Sequence, residues 1–142
     1  MSILITAILT LHGALGILWV ISSAFLTYAI LSSGGKLNGK KSVRIGIIMV
    51  RAFGGLAIIF GVIVSALLSY YSELPKFYSV TGLVLVAGIA LAFLTYVPVN
   101  EGMLFRMIRN TEGSDRKKIL NLSIISLGLV IIVLLLMLTA SL

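Results

Sequence analysis

Residues 119–142 read ILNLSIISLGLVIIVLLLMLTASL, a run with no charged side chain. As an α-helix at 1.5 Å per residue it would reach about 36 Å, enough to cross a hydrocarbon layer of about 30 Å. Three other stretches read the same way: Met1–Gly35, broken only by His12, then Ala52–Ser72 and Phe77–Asn100. Lipid offers the backbone no hydrogen bonds, so such segments must satisfy their own amides as helices. The alternating ten-residue pattern of a transmembrane barrel is absent. The expectation is an all-α, polytopic membrane protein: a four-transmembrane-helix antiparallel bundle in one domain over residues 1–142.

Composition agrees. Of 142 residues, 60% are hydrophobic and 11% charged, against about 25% charged in an ordinary soluble domain. Mean hydropathy is +1.21. The net charge of +7 is distributed in a way that argues for topology rather than for nucleic acid. Lys36, Lys40, Lys41, Arg44 and Arg51 cluster around the first loop, and Arg106, Arg109, Arg116, Lys117 and Lys118 around the third. The second loop holds only Glu73 and Lys76. Positive residues collect in cytoplasmic loops, so loops one and three are expected inside and both termini outside, in a cell membrane. The lipid bilayer is then the first partner, and no nucleic acid is expected. The chain has no cysteine, which excludes disulfides, thiolate metal sites and thiol catalysis. The N-terminus has no basic n-region and an overlong apolar run, so it reads as a span rather than a cleaved signal.

The expected spans cover about 3–31, 44–71, 76–97 and 117–141. Ser32-Ser33-Gly34-Gly35 is a stop-and-turn cluster. Arg51 lies about two turns inside span two, where its stem can snorkel to the headgroups. Tyr70, Tyr71 and Tyr78 bracket the outer loop as an aromatic belt. Pro75 restarts the chain, and Pro98 marks a kink or an end of span three. Residues 100–110 then form a cytoplasmic interfacial helix or continue span three, with Met103, Leu104, Met107 and Ile108 on one face. Thr111–Asp115 is a turn, with Asp115 as N-cap of span four.

Small residues let membrane helices approach closely. Ala57, Gly61, Ser65 and Ser69 recur at four-residue spacing on span two, Gly88 and Ala92 on span three, and Gly13 and Gly16 lie on span one. Packing inside the bundle is the expected role, with an interface to another subunit as the alternative. His12 is the sole histidine and lies about three turns into span one. An ionisable residue at that depth raises a functional-site hypothesis. Imidazole suits haem iron, copper or zinc, and Met137 is the methionine at comparable depth. The alternatives are a His12/Met137 axial pair, a single-ligand or dimer-shared site, and a neutral histidine bonded to a hydroxyl or carbonyl of a neighbouring span. The last is preferred, because no second histidine, no cysteine and no carboxylate is expected inside a span. Asn121, Ser123 and Ser126 can bond across helices. No nucleophile–base pair, phosphate loop or charged pathway is recognisable.

The segment Leu11-His12-Gly13-Ala14-Leu15-Gly16-Ile17-Leu18-Trp19-Val20 resembles the first span of copper resistance protein D-like small membrane proteins, in which a histidine is followed about seven residues later by a tryptophan. The stretch from Pro98 to Met137 is similar in layout: a proline at the end of span three, a basic segment, then a last span with a late methionine. Val20-Ile21-Ser22-Ser23 stands where that family usually has a glycine after the tryptophan. The resemblance implies a four-helix bundle with copper or haem association through His12.

The resulting expectation is a non-enzymatic accessory subunit of a larger membrane assembly, partnered by other membrane subunits or by itself, with its cofactor unknown: none is the preferred reading, haem or copper the alternative. The alternatives are a haem- or copper-binding protein using His12 and a small transporter or channel.

Overall fold

The computed structural model describes residues 3–34, 37–71, 80–110 and 116–141. The expected outer-loop features at Glu73, Pro75, Lys76 and Tyr78, and the turn at 111–115 with its Asp115 cap, lie outside the described residues. Among the described residues every regular element is a helix. Helix α1 covers Ile3–Ser32, α2 Lys41–Tyr71 and α3 Val80–Leu94. A π-helical segment, Thr95–Leu104, continues α3 into α4, Phe105–Asn110, and α5 covers Arg116–Ser141. Among the described residues four helical runs are long and apolar enough to cross a membrane: Thr6–Ser32, Lys41–Ala66, Leu83–Asn110 and Arg116–Leu138. That is the make-up of a multi-pass membrane protein.

Helix α1 is the hub, packing against both α2 and α5, while α3 packs on α5 and touches α2 sparsely. The α1–α2 seam is built from small and β-branched residues. Val43, Gly46, Val50, Gly54, Ala57, Gly61 and Val64 are all buried. A Cβ on Gly46 would stand 3.1 Å from the Cα of Leu26, so the two backbones nearly touch there. Such close approach brings dispersion contacts that aliphatic lipid cannot outcompete. The outward faces are aliphatic: Ile48, Ile59, Val86, Ile125 and Leu135 are exposed, in position to contact lipid.

Pro98 does not end the helix. It lies inside the π segment, whose wider turn carries the chain past the ring that would clash in an α-helix. Glu101 falls within the continuous apolar run Leu83–Asn110, so residues 100–110 continue the helix of span three, one of the two expected arrangements.

At the basic end the helix ends are tied to one another. Arg116 Nη2 donates to the carbonyls of Ile30 and Leu31, each at 2.8 Å, which places a cation on the carbonyls at the end of α1. Asn38 Nδ2 donates to the Arg109 carbonyl at 3.1 Å. Gly39, at φ 91°, takes the left-handed turn that leads into α2.

Candidate functional site

Two groups of polar side chains lie at two depths. His12, Gly61 and Met137 each stand about 20 residues from the basic end of their helices, Ser32, Lys41 and Arg116, or about 30 Å along the axis. Arg51, Glu101, Asn100 and Ser126 stand about 10 residues from Lys41, Asn110 and Arg116, or about 15 Å.

At the deeper level, His12 Nε2 lies 3.1 Å from Met137 Sδ. With its proton on Nε2 the neutral ring donates to the thioether, a weak acceptor. Gly61 makes room for the ring: a Cβ there would be 3.0 Å from His12 Cε1. The ring lies within reach of the Ala57 backbone, yet Nδ1 is buried and makes no hydrogen bond of normal geometry. The neighbour of His12 is thus a sulfur rather than a hydroxyl. Towards the basic end lies an apolar cavity of about 10 Å³ whose walls include Gly16, Trp19, Ala57, Ala92, Val130 and Met137.

The donor set can be compared with the groups that the resemblance implies. First-row metals bind imidazole nitrogen at about 2.0 Å and sulfur at about 2.3 Å, so ligands on opposite sides of one iron stand about 4.3 Å apart with a porphyrin plane between them. A direct 3.1 Å contact leaves no space for that plane, so an axial His12/Met137 haem does not fit. A single soft ion held at a tetrahedral angle needs about 3.5 Å between donors, within reach of a small Met137 rotamer change. Imidazole plus thioether suits copper(I). The pair by itself is an incomplete ligand set, and no cluster of three or more His, Cys, Asp or Glu occurs among the described residues.

The second group lies where the π segment meets α2 and α5. Arg51 grips Glu101 with two bonds, Nε to Oε1 at 2.6 Å and Nη2 to Oε2 at 3.0 Å. Its Cζ lies 5.0 Å from the centroid of the Phe105 ring, a cation–π distance. Tyr96 OH donates to the Arg51 carbonyl at 2.9 Å, and its ring meets Trp19 edge-on at 6.2 Å. Gly54 and Gly55 permit this: a Cβ on Gly54 would be 2.8 Å from Trp19 Cε2, and one on Gly55 would be 3.0 Å from Tyr96 OH. Asn100, wholly buried, accepts from Ser126 Oγ. Nearer the basic end, Ser123 Oγ and Thr27 Oγ1 are 2.7 Å apart, joining α5 to α1. Trp19 Nε1, Ser23 Oγ and Asn100 Nδ2 are buried without a hydrogen-bond partner among the described residues.

Of the small residues singled out in the sequence, Ala57, Gly61, Gly88 and Ala92 are buried in the bundle. Gly61 faces His12, and Gly88 faces Leu136 at 3.6 Å. Ser65 is half-buried and donates to the Gly61 carbonyl of its own helix at 2.8 Å. The side chain of Ser69 lies outside the described residues. Gly16 meets Leu134 at 3.3 Å, while Gly13 has nothing within 4 Å.

The Arg51–Glu101 pair escaped the sequence reading because each partner is unremarkable alone. The available signal was two opposite charges at equal counts from the basic ends of their helices. No family model matches the chain, and comparison with curated proteins and with solved structures finds no match.

Proposed function

We propose that this protein is a non-enzymatic integral membrane subunit, an antiparallel four-helix scaffold that serves a larger membrane assembly. In this reading both termini face outside and the basic loops face the cytoplasm. The observation that carries it is how the internal polar side chains are used. Arg51–Glu101, Tyr96 to the Arg51 carbonyl, Ser126 to Asn100 and Thr27 with Ser123 each tie one helix to another. Helix–helix bonds in membranes are worth about 0.6–2 kcal/mol each, so this set supports one fixed arrangement and spends polar groups on cohesion rather than on a substrate. The outer aliphatic faces remain for lipid and for partner helices. The test is purification from native membranes at native expression in mild detergent. The chain is expected to elute in a complex with other membrane polypeptides, or with further copies of itself, at a fixed ratio. A single chain free of any partner would contradict the reading.

A second reading rests on the 3.1 Å approach of His12 Nε2 to Met137 Sδ. It makes the deeper level a copper(I) site completed by a ligand from a partner. Substituting Met137 with leucine separates the two readings, since it removes a soft ligand at little packing cost.

A further inference from the structure

The bidentate contact of Arg51 with Glu101 fixes the register of α2 against the run from the π segment into α4. Seven residues from Arg51 towards the basic end, on the same face of α2, stands Arg44. Two turns from Glu101 in the same direction, past Phe105, stands Arg109. Both lie about 10 Å below the pair, counting helical rise. The bond from Asn38 Nδ2 to the Arg109 carbonyl, 3.1 Å, independently holds the approach to α2 against the end of α4. Arg44 and Arg109 are both exposed. The first turn of α2 points its amides to the same side, and the residue before it, Lys40, carries an ammonium that cannot accept from them.

Charge and surroundings select the occupant. Residues 36–44 and 106–118 hold nine Lys/Arg and only two acidic residues, Glu112 and Asp115. Glu101 is engaged by Arg51, and Arg116 caps α1. One turn deeper on the Arg44 face, Ile48 is 55% exposed, with apolar surface continuing along α2. A ligand that fills this place has an anionic head at the arginines and a hydrocarbon tail beside Ile48.

We infer that the mouth of the seam between α2 and α4 binds an anionic phospholipid, with its phosphate between the Arg44 and Arg109 guanidinium groups and the first-turn amides of α2. Planar guanidinium forks match phosphate oxygens two at a time, and a helix N-terminus favours the same charge. The acyl chain runs along Ile48. This site requires a membrane-spanning bundle with both basic loops at one leaflet, and it stands whether or not the chain is an accessory subunit.

The test is native mass spectrometry of the whole chain released from nanodiscs of mixed phosphatidylglycerol and phosphatidylcholine. The wild type is expected to retain one phosphatidylglycerol in preference to phosphatidylcholine. R44Q/R109Q should weaken that retention about thirtyfold, taking about fivefold for each cation near the surface. K117Q/K118Q removes the same charge from exposed positions on α5 and should weaken it less than fivefold. Equal loss in the two double variants would reduce the effect to net charge and overturn the site. Equal retention of both lipids by the wild type would overturn it without any variant, even if R44Q/R109Q failed to fold. Displacement of the lipid by about 10 mM inorganic phosphate would identify a soluble phosphate site and also overturn it.

Discussion

Replacing Gly61 with alanine tests the deeper level most sharply. The new methyl would lie 3.0 Å from His12 Cε1, 3.6 Å from Nε2 and 3.7 Å from Nδ1. Carbon atoms pack at about 3.5–4.0 Å, so the ring must retreat by about 0.5–1 Å. It is already 3.1 Å from Met137 Sδ and has no slack in that direction. Such overpacking costs about 1–3 kcal/mol, offset by up to about 1 kcal/mol because alanine favours a helix over glycine. The single variant should therefore lose about 0–3 kcal/mol, and its interpretation needs a double-mutant cycle. In a His12→Ala background the obstacle is gone, so Gly61→Ala should turn neutral or stabilising, with a coupling of at least about 1 kcal/mol. Gly61→Leu should cost about 3 kcal/mol or more, whereas Val62→Leu, at a position 46% exposed, should stay within about 0.5 kcal/mol. Trp19 is the only tryptophan and is buried, so its fluorescence reports reversible unfolding in mixed micelles. Zero coupling between Gly61 and His12, or equal cost for leucine at positions 61 and 62, would refute the packing argument.

Gly54→Ala should cost about 2–3 kcal/mol, because its methyl would meet Trp19 Cε2 and Nε1 at 2.8 Å and a buried indole cannot yield. Gly128→Ala, with nothing within 4 Å, should instead gain about 0.5–1 kcal/mol; the same unfolding assay compares them. Arg51→Met should cost about 1–3 kcal/mol by leaving Glu101 unpaired, and adding Glu101→Gln should recover part of the loss; a double variant weaker than Arg51→Met would disprove the pairing. Reporter fusions at Gly39 and at Leu142 should label opposite compartments, and a cytoplasmic signal at Leu142 would reverse the proposed topology.

The spans were legible because an uncharged run of this length has one stable form in lipid. The meeting of His12 with Met137 was legible as equal depth on two spans, since helical rise is uniform. The seam on α2 was harder. A strict four-residue spacing advances 400° per step and drifts off a face that repeats every 3.6 residues. The stripe through Ala57 and Gly61 has therefore left the interface by Ser65, which bonds its own helix. The true seam mixes steps of four and three, from Gly46 through Val50, Gly54, Ala57 and Gly61 to Val64. Glu101 was hidden by Pro98, read as a kink or stop; only a widened turn keeps the helix going and carries the carboxylate to Arg51. Ser126 was legible as a residue able to bond across helices, but nothing local marks Asn100 as its partner.

The central claim is that His12 is a packing residue of a scaffold and not the ligand of a redox centre. Metal and haem content per chain, measured on protein purified from native membranes, tests it most directly. The account predicts no Soret band and far less than one copper per chain, with His12→Gln keeping fold and assembly nearly intact. Stoichiometric haem or copper, lost when His12 becomes glutamine, would contradict it, since an amide is a poor ligand for either.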